Sequence, residues 1–249
     1  MNKIKFLGIG AGDISMVLQM VPTSSIFCEL DGIKFLIDPG PGTLINARRH
    51  KIDITELNGL LVSHLHTDHA GDANAVLSGM NKNSFLIAEK HCLKPSEKYY
   101  PAISRYHQEI PEAVFAVEPE GKVIIGSLNF EITPTKHYDP AVGFKIIGSK
   151  TIGYVGDGIY FNGQEKYFAG CDLMIFNTLV MHSDKPNETL QMSINDATEL
   201  VEKCKPKLGV IQHYSYQMIR NDPIEQARII QDKTGVRIHA AMDGTEIEL

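Results

Sequence analysis

The stretch LLVSHLHTDHAGD, residues 60–72, gathers three histidines and an aspartate, His64, His66, Asp68 and His69, within a few positions of one another. It opens as an apolar run, which reads as a buried strand. If that strand persists through His66, the side chains of His64 and His66 point the same way, because they alternate with a period of two. Asp68 and His69 then fall in the turn that opens the next helix, where the reversing chain can aim them into the same cavity. Imidazoles and a carboxylate at the mouth of a strand are costly as packing residues, since each needs a polar partner. A cation satisfies them together.

Toward the N-terminus the chain reads as strands joined by turns: KIKFLGIG (3–10), SSIFCEL (24–30) and IKFLIDPG (33–40). The last two flank Asp31-Gly32, a strong hairpin signal. Pro39 and Gly40 stop the second of them just after Asp38. A short helix is expected within 44–57 and another in AGDANAVLSGM (70–80), followed by the strand FLIAEK (85–90). The polar, aromatic-rich stretch from Lys90 to Pro119 has little regular pattern and reads as a flap or lid; its Lys90, Lys94, Lys98 and Arg105 could steer an anion.

Beyond it, KVIIG, LNFEITPTKH, AVGFKIIG and KTIGYVGD (122–157) alternate as strands, and DLMIFNTL (172–179) adds another,. SINDATELVEKC (193–204) is amphipathic, capped by Ser193 or Asn195, with Ile194, Ala197, Leu200, Val201 and Cys204 on its apolar side,. LGVIQHYS (208–215) is a strand, PIEQARIIQDKTG (223–235) a helix stopped by Gly235, and the final stretch a last pair of strands,. Strands in two similar halves with helices between them fit a two-layered β core covered by helices, built as one domain over residues 1–249.

Composition agrees with an ordinary globular chain: 249 residues, 43% apolar and 22% charged,. A net charge of -6 disfavours a broad nucleic-acid footprint, although cations in a pocket could still receive a small phosphorylated substrate,. The opening MNKIKFLGIGAG reads as a strand rather than a signal peptide, and no apolar run is long enough to span a bilayer,. Cys28, Cys92, Cys171 and Cys204 show no paired spacing, so free thiols and a cytoplasmic location are the default reading,. A homodimer is the common assembly of such chains, with no heptad or stripe to specify it.

HLHTDH (64–69) resembles the histidine–aspartate signature of the metallo-β-lactamase fold superfamily, and the resemblance runs along nearly the whole chain. LIDPGPG, ending its strand at Asp38, is similar to the first motif of that family; His137, Asp157 in IGYVGDG and His213 in GVIQHYS are similar to the remaining three, in order. The resemblance implies an α+β fold, the four-layer αββα sandwich. It also implies a centre for two divalent cations. His64, His66 and His137 would hold one, Asp68, His69 and His213 the other, with Asp157 and a water or hydroxide bridging them. Asp68 and Asp157 would serve catalysis directly and Asp38 by supporting the ligand loop. Imidazole and carboxylate donors without a thiolate suit zinc first, then manganese or iron.

Among the branches of the superfamily the chain looks closest to the phosphodiesterase-like group that includes ribonuclease Z, with Asp172 in GCDLMIF resembling that group's strand aspartate. Hydrolysis of a small phosphodiester or nucleotide-like substrate follows, with lactone or thioester hydrolysis as the rival, and a non-catalytic metal-dependent sensor as the reading from outside enzymology. Transfer RNA is a less favoured substrate, since no gripping arm is evident. Two positions depart from the group: Asn177 stands where it carries glutamate, and Met192 where it carries a histidine that could protonate a leaving group, a role that His182 could take over.

Overall fold

Alternation along the strands sets the layers. A computed structural model describes residues 2–181 and 190–249. The strands β1 (Lys3–Gly8), β2 (Ser25–Leu30), β3 (Ile33–Ile37), β4 (Gly59–Val62), β5 (Phe85–Glu89) and β6 (Ala113–Val117) build one sheet in sequence order. The second sheet holds β7 (Lys122–Ile125), β8 (Leu128–Pro134), β9 (Val142–Ile147), β10 (Thr151–Tyr154), β11 (Leu173–Val180), β12 (Met192–Ser193), β13 (Leu208–Gln212) and β14 (Ile238–Ala240). Its order is β14-β13-β11-β10-β9-β8-β7, with β12 paired to β11, and the last strand, β15 (Glu246–Glu248), returns to the first sheet beside β1.

The two sheets face each other across one core. Phe35 and Ile37 of β3, Leu61 of β4, Phe130 and Ile132 of β8 and Phe144 of β9 meet there. Phe35 and Phe130 stand edge to face with ring centroids 5.7 Å apart, joining the layers,. The alternate residues Leu36, Leu60 and Val62 turn outward and are covered by Ala47, Val76 and Leu77 of the helices Thr43–Arg49 and Ala73–Gly79. Helices Ile194–Cys204 and Pro223–Thr234 pack on each other and on strands of the second sheet. The architecture is the αββα sandwich that the motifs imply.

Direction matters more than order. Strands β3 to β6 are mutually parallel, and so are β10, β11, β13 and β14. Antiparallel β9 separates β8 from β10, so β8 runs the same way as β10. Single bridges join His64 to Ala141 and Gly10 to Tyr214, stitching the loops after these strands together.

Several expectations need correcting. β4 stops at Val62, short of the histidines, because the chain turns there to bridge Ala141. Period-two alternation therefore does not explain how His64 and His66 converge. Residues Gly12–Leu18 form a helix where only a turn was expected; its apolar Ile14, Val17 and Leu18 are exposed, so no buried stripe marks it in the sequence. The stretch from Lys90 to Pro119 contains two single-turn helices, Lys90–Leu93 and Arg105–Gln108, and ends in β6, an edge strand with one face exposed. The two strands expected at the end both form, on different sheets: β14 edges the second sheet and β15 the first. The hairpin at Asp31-Gly32, with φ of 52° and 81°, and the glycine stop at Gly235 form as expected,. Ser193, rather than Asn195, caps its helix, in a reciprocal box with Asp196,.

Candidate metal centre

The loops that leave β3, β4, β8, β10 and β13 bring their polar residues to one place. His64, His66 and His137 offer donor atoms lying within 4.8 Å of one another, as do His64, His69 and Asp157, and again Asp68, His69 and His213. All seven residues expected to ligate therefore converge; His64 and His69 are each shared by two groups, and Asp157 lies in the group that links them. Backbone strain helps aim two of the site's residues. His213 leaves β13 with φ of 66°, and Asp38 leaves β3 with φ of 51°, a left-handed conformation that aspartate and histidine tolerate better than most side chains,.

Hydrogen bonds fix which ring nitrogen each histidine can offer. The Asp38 carboxylate, 1% exposed, has only acceptors, and it takes protons from the Ser63 amide (2.6 Å), the Ser63 hydroxyl (2.6 Å), the Tyr154 hydroxyl (2.5 Å) and Nδ1 of His69 (2.9 Å),. Ser63 has then spent its only hydrogen, so Nδ1 of His64, 3.0 Å from Ser63 Oγ, must donate to it. His137 Nδ1 faces the carbonyl of Leu190 at 3.2 Å and must donate as well. Nε2 of His66 lies 2.8 Å from the Asp139 carboxylate. These partners leave lone pairs on Nε2 of His64, His69 and His137 and on Nδ1 of His66. Nε2 of His64 and Nε2 of His137 are buried with no hydrogen-bond partner, as is Nδ1 of His213. Buried ring nitrogens without a partner are expensive.

The third group has the dimensions of a coordination triangle. His69 Nε2 and His213 Nε2 lie 2.9 Å apart, and Asp68 Oδ2 lies 3.5 Å from His213 Nε2 and 3.8 Å from His69 Nε2. Donors about 2.0–2.1 Å from a tetrahedral zinc sit about 3.3 Å from each other. Asp68 Oδ2 is fixed by the amide of Gly12 at 2.9 Å. Asp157 Oδ2 lies 3.5 Å from His69 Nε2 and its Oδ1 lies 3.6 Å from His213 Nε2. These donor sets have the capacity for one or two divalent cations.

The electrostatics point the same way. Burial opposes charge on His69, but the carboxylates of Asp157, Asp68 and Asp38 outweigh it and lift the imidazole well above its ordinary pKa. Burial likewise opposes charge on Asp157, and His213 and His69 overcome it, holding the carboxyl well below its usual range. Asp68 behaves in the same way, through His69 and His213. Burial, aided by His69, pushes His64 well below the ordinary histidine value, and burial lowers His137 too. Neutral His64 and His137 beside ionised carboxylates are in the state a cation requires, while the positive charge that the carboxylates favour on His69 is one that a cation would replace,.

A network behind the ligands holds them. Asn177 donates through Nδ2 to Asp157 (2.7 Å) and to the Tyr154 hydroxyl (2.9 Å), and accepts from Gln212 (2.5 Å), which in turn accepts from Ser24 (2.8 Å). The Asn177 departure thus supports Asp157 directly. Met192 is wholly buried in the core, so it presents no group to the cleft. His182 lies outside the described residues. Asp172 sits at the start of β11, where it accepts from the Thr151 amide (2.8 Å) and Lys207 (2.7 Å) and belongs to the sheet rather than the donor groups. Asp38 joins none of the donor groups and acts from behind His69. Tyr154, Asn177, Ser63 and Asp139 were not expected as contributors; only the nearness of Asp139 to His137 hints at any of them in the sequence.

A cleft of about 780 Å³ opens over the centre, lined by Leu65, Tyr138, Leu179, Thr67 and Gln191 besides the donors His66, Asp68, Asp157 and His213 and the backbone of Gly12. None of these described lining residues is lysine or arginine. Of the four basic residues expected to steer an anion, Lys90, Lys94, Lys98 and Arg105, none lines the cleft; Lys90 pairs with Glu118 (3.1 Å), Lys98 with Asp139 (3.0 Å) and Arg105 with Glu109 (3.5 Å). The four cysteines are free thiols. Among the described residues no helix is long and apolar enough to cross a membrane.

Residues 34–214, which include every donor named above, match the beta-lactamase superfamily domain. The chain belongs to that superfamily. Within it, an uncharacterized protein of Methanocaldococcus jannaschii is 28% identical over 260 residues, covering 99% of this chain and 95% of its own. The metallo-beta-lactamase fold protein YhfI from Bacillus subtilis aligns over the whole of both chains with a TM-score of 0.81 at 16% identity. A diphosphatase from the PhnP family aligns over 100% of this chain and 98% of its own, with a TM-score of 0.69 at 16% identity. The structural likenesses establish the superfamily fold.

Proposed function

We propose that the chain is a metal-dependent hydrolase that cleaves a small phosphodiester or nucleotide-like substrate. The observation that carries this reading is the set of lone pairs on His64, His66, His69 and His137, oriented by fixed hydrogen bonds and joined by the carboxylates of Asp68 and Asp157. His64, His66 and His137 would hold one cation and Asp68, His69 and His213 a second, with Asp157 between them. Zinc suits the donors best. Bound cations would supply an acidified water and take up negative charge developing on a phosphoryl oxygen.

The chain's own residues do the rest. Asp68, pinned by Gly12, keeps a carboxylate at the cleft floor to orient the attacking water. Asp157, held by Asn177, stays ionised in a buried place. Leu65, Tyr138 and Leu179 line the cleft with carbon surface that suits a compact group,. With no lysine or arginine among its described lining residues, the cleft fits a diester bearing one negative charge better than a polyphosphate. Pairing of β15 with β1 closes the first sheet with both ends of the sequence, which supports reading residues 1–249 as one domain. Free thiols support a reducing, cytoplasmic setting,.

Metal analysis coupled to a substrate panel tests the reading. Bis(p-nitrophenyl) phosphate and cyclic nucleotides should be hydrolysed by zinc- or manganese-loaded protein. Turnover of lactones or glutathione thioesters without any phosphodiester cleavage, in every metal form, would refute it.

A further inference from the structure

Asp139 belongs to none of the three donor groups, yet both of its oxygens are committed at the edge of the centre. Oδ2 lies 2.8 Å from Nε2 of His66, and because a carboxylate only accepts, the ring nitrogen is the donor,. Oδ1 accepts from the Tyr99 hydroxyl (2.5 Å) and from Nζ of Lys98 (3.0 Å). A carboxylate held through both oxygens resists rotation, so it favours one tautomer and one orientation of the His66 ring. His66 has more need of such a partner than His69 or His213, since its side chain is 33% exposed whereas theirs are buried. The support reaches back into the first sheet. The Tyr99 ring stands edge-on to His91 with centroids 5.4 Å apart, and Nδ1 of His91 lies 2.8 Å from the carboxylate of Glu89 at the end of β5.

We infer that Asp139, clamped by Tyr99 and Lys98, is a positioning residue that holds His66 with Nδ1 toward the His64–His66–His137 cluster. The loop between Lys94 and Arg105 thereby sets the affinity of that cluster for its cation, whereas in the cluster of Asp68, His69 and His213 it is Asp38 that bonds a ligand directly, at Nδ1 of His69. The inference rests on the metal-dependent reading proposed above. Its physical content is that a ligand whose second nitrogen is bonded to a fixed carboxylate is both pre-oriented and more basic, and loss of such a partner typically lowers metal affinity by about 10–100-fold.

The test uses the full chain and zinc alone, competed against a chromophoric chelator, with cobalt absorption as a second readout of ligand geometry. In Asp139→Ala, one of two zinc affinities should fall by about 10–100-fold and the other stay within about twofold. Asp139→Asn, which keeps the size and one acceptor oxygen, should lie between Asp139→Ala and the wild type, and carries the test if Asp139→Ala folds poorly. Tyr99→Phe should weaken the same affinity by less than Asp139→Ala, and should add nothing in the Asp139→Ala background, because Tyr99 acts through Asp139. Unchanged affinities in Asp139→Ala beside a wild type that binds zinc normally would overturn the positioning role alone. Equal loss at both clusters, or a Tyr99→Phe effect that persists in full without Asp139, would do the same. A wild-type chain that takes up no divalent cation would overturn the metal-dependent reading itself, and this inference with it.

Discussion

Replacing Asp38 by alanine removes the acceptor for four hydrogens at once: the amide and hydroxyl of Ser63, the hydroxyl of Tyr154 and Nδ1 of His69. The site is wholly enclosed, so water cannot readily serve as a substitute. Deleting one member of a buried charged pair typically costs about 3–5 kcal/mol, because its partner remains buried without compensation. In a chain of this size each kcal/mol moves the melting midpoint by about 2–4 °C, which puts the expected loss at about 6–20 °C. Urea unfolding of the metal-free protein measures the stability, and chelator competition measures zinc affinity, which should drop by about 10–100-fold at the cluster containing His69. Asp38→Asn, isosteric but uncharged, should lose less stability. An alanine variant within about 1 kcal/mol of wild type, with undiminished zinc affinity, would show that the reasoning from these hydrogen bonds is wrong.

Gly40 lies where an added Cβ would meet the backbone oxygen of Asp68 at 2.3 Å, so Gly40→Ala should displace Asp68, cost about 1–3 kcal/mol in urea unfolding, and weaken zinc binding,. Asn177→Asp sets a second carboxylate against Asp157; the metal-free variant should melt lower than wild type, and zinc should restore more of its midpoint than it adds to the wild type,. Asp172 is held below the usual carboxylate range by Lys207 and the Thr151 amide. A lowered acid contributes stability above its unfolded value near 3.8 and loses it as pH falls through the folded value,. Asp172→Asn should therefore be less stable than wild type at pH 7, and the difference should shrink as pH falls below 3.8, in urea midpoints taken across that range,.

The sequence already shows the donor set, because HLHTDH, His137, Asp157 and His213 are chemically conspicuous and lie where apolar strand patterns end. Layering is legible for a related reason: alternation in β3 and β8 divides inward from outward residues whatever the topology. The support residues were hidden. Tyr154 and Asn177 sit within apolar strand runs, and nothing local distinguishes a buried tyrosine that donates to Asp38 from one that merely packs. The helix Gly12–Leu18 escaped notice because its apolar residues face solvent, which removes the periodic stripe on which helix reading depends,. The separation of β14 and β15 onto different sheets is a long-range pairing that no local pattern encodes.

The donor groups draw on both layers of the sandwich: His64, His66, Asp68 and His69 follow a strand of the first sheet, while His137, Asp157 and His213 follow strands of the second. An ion seated among them is consequently a rivet through the two plates, resisting any sliding of one past the other. Stripping it away should then be felt deep in the interlayer seam, as faster amide exchange along β4 and β13, and not only in the loops that carry the ligands.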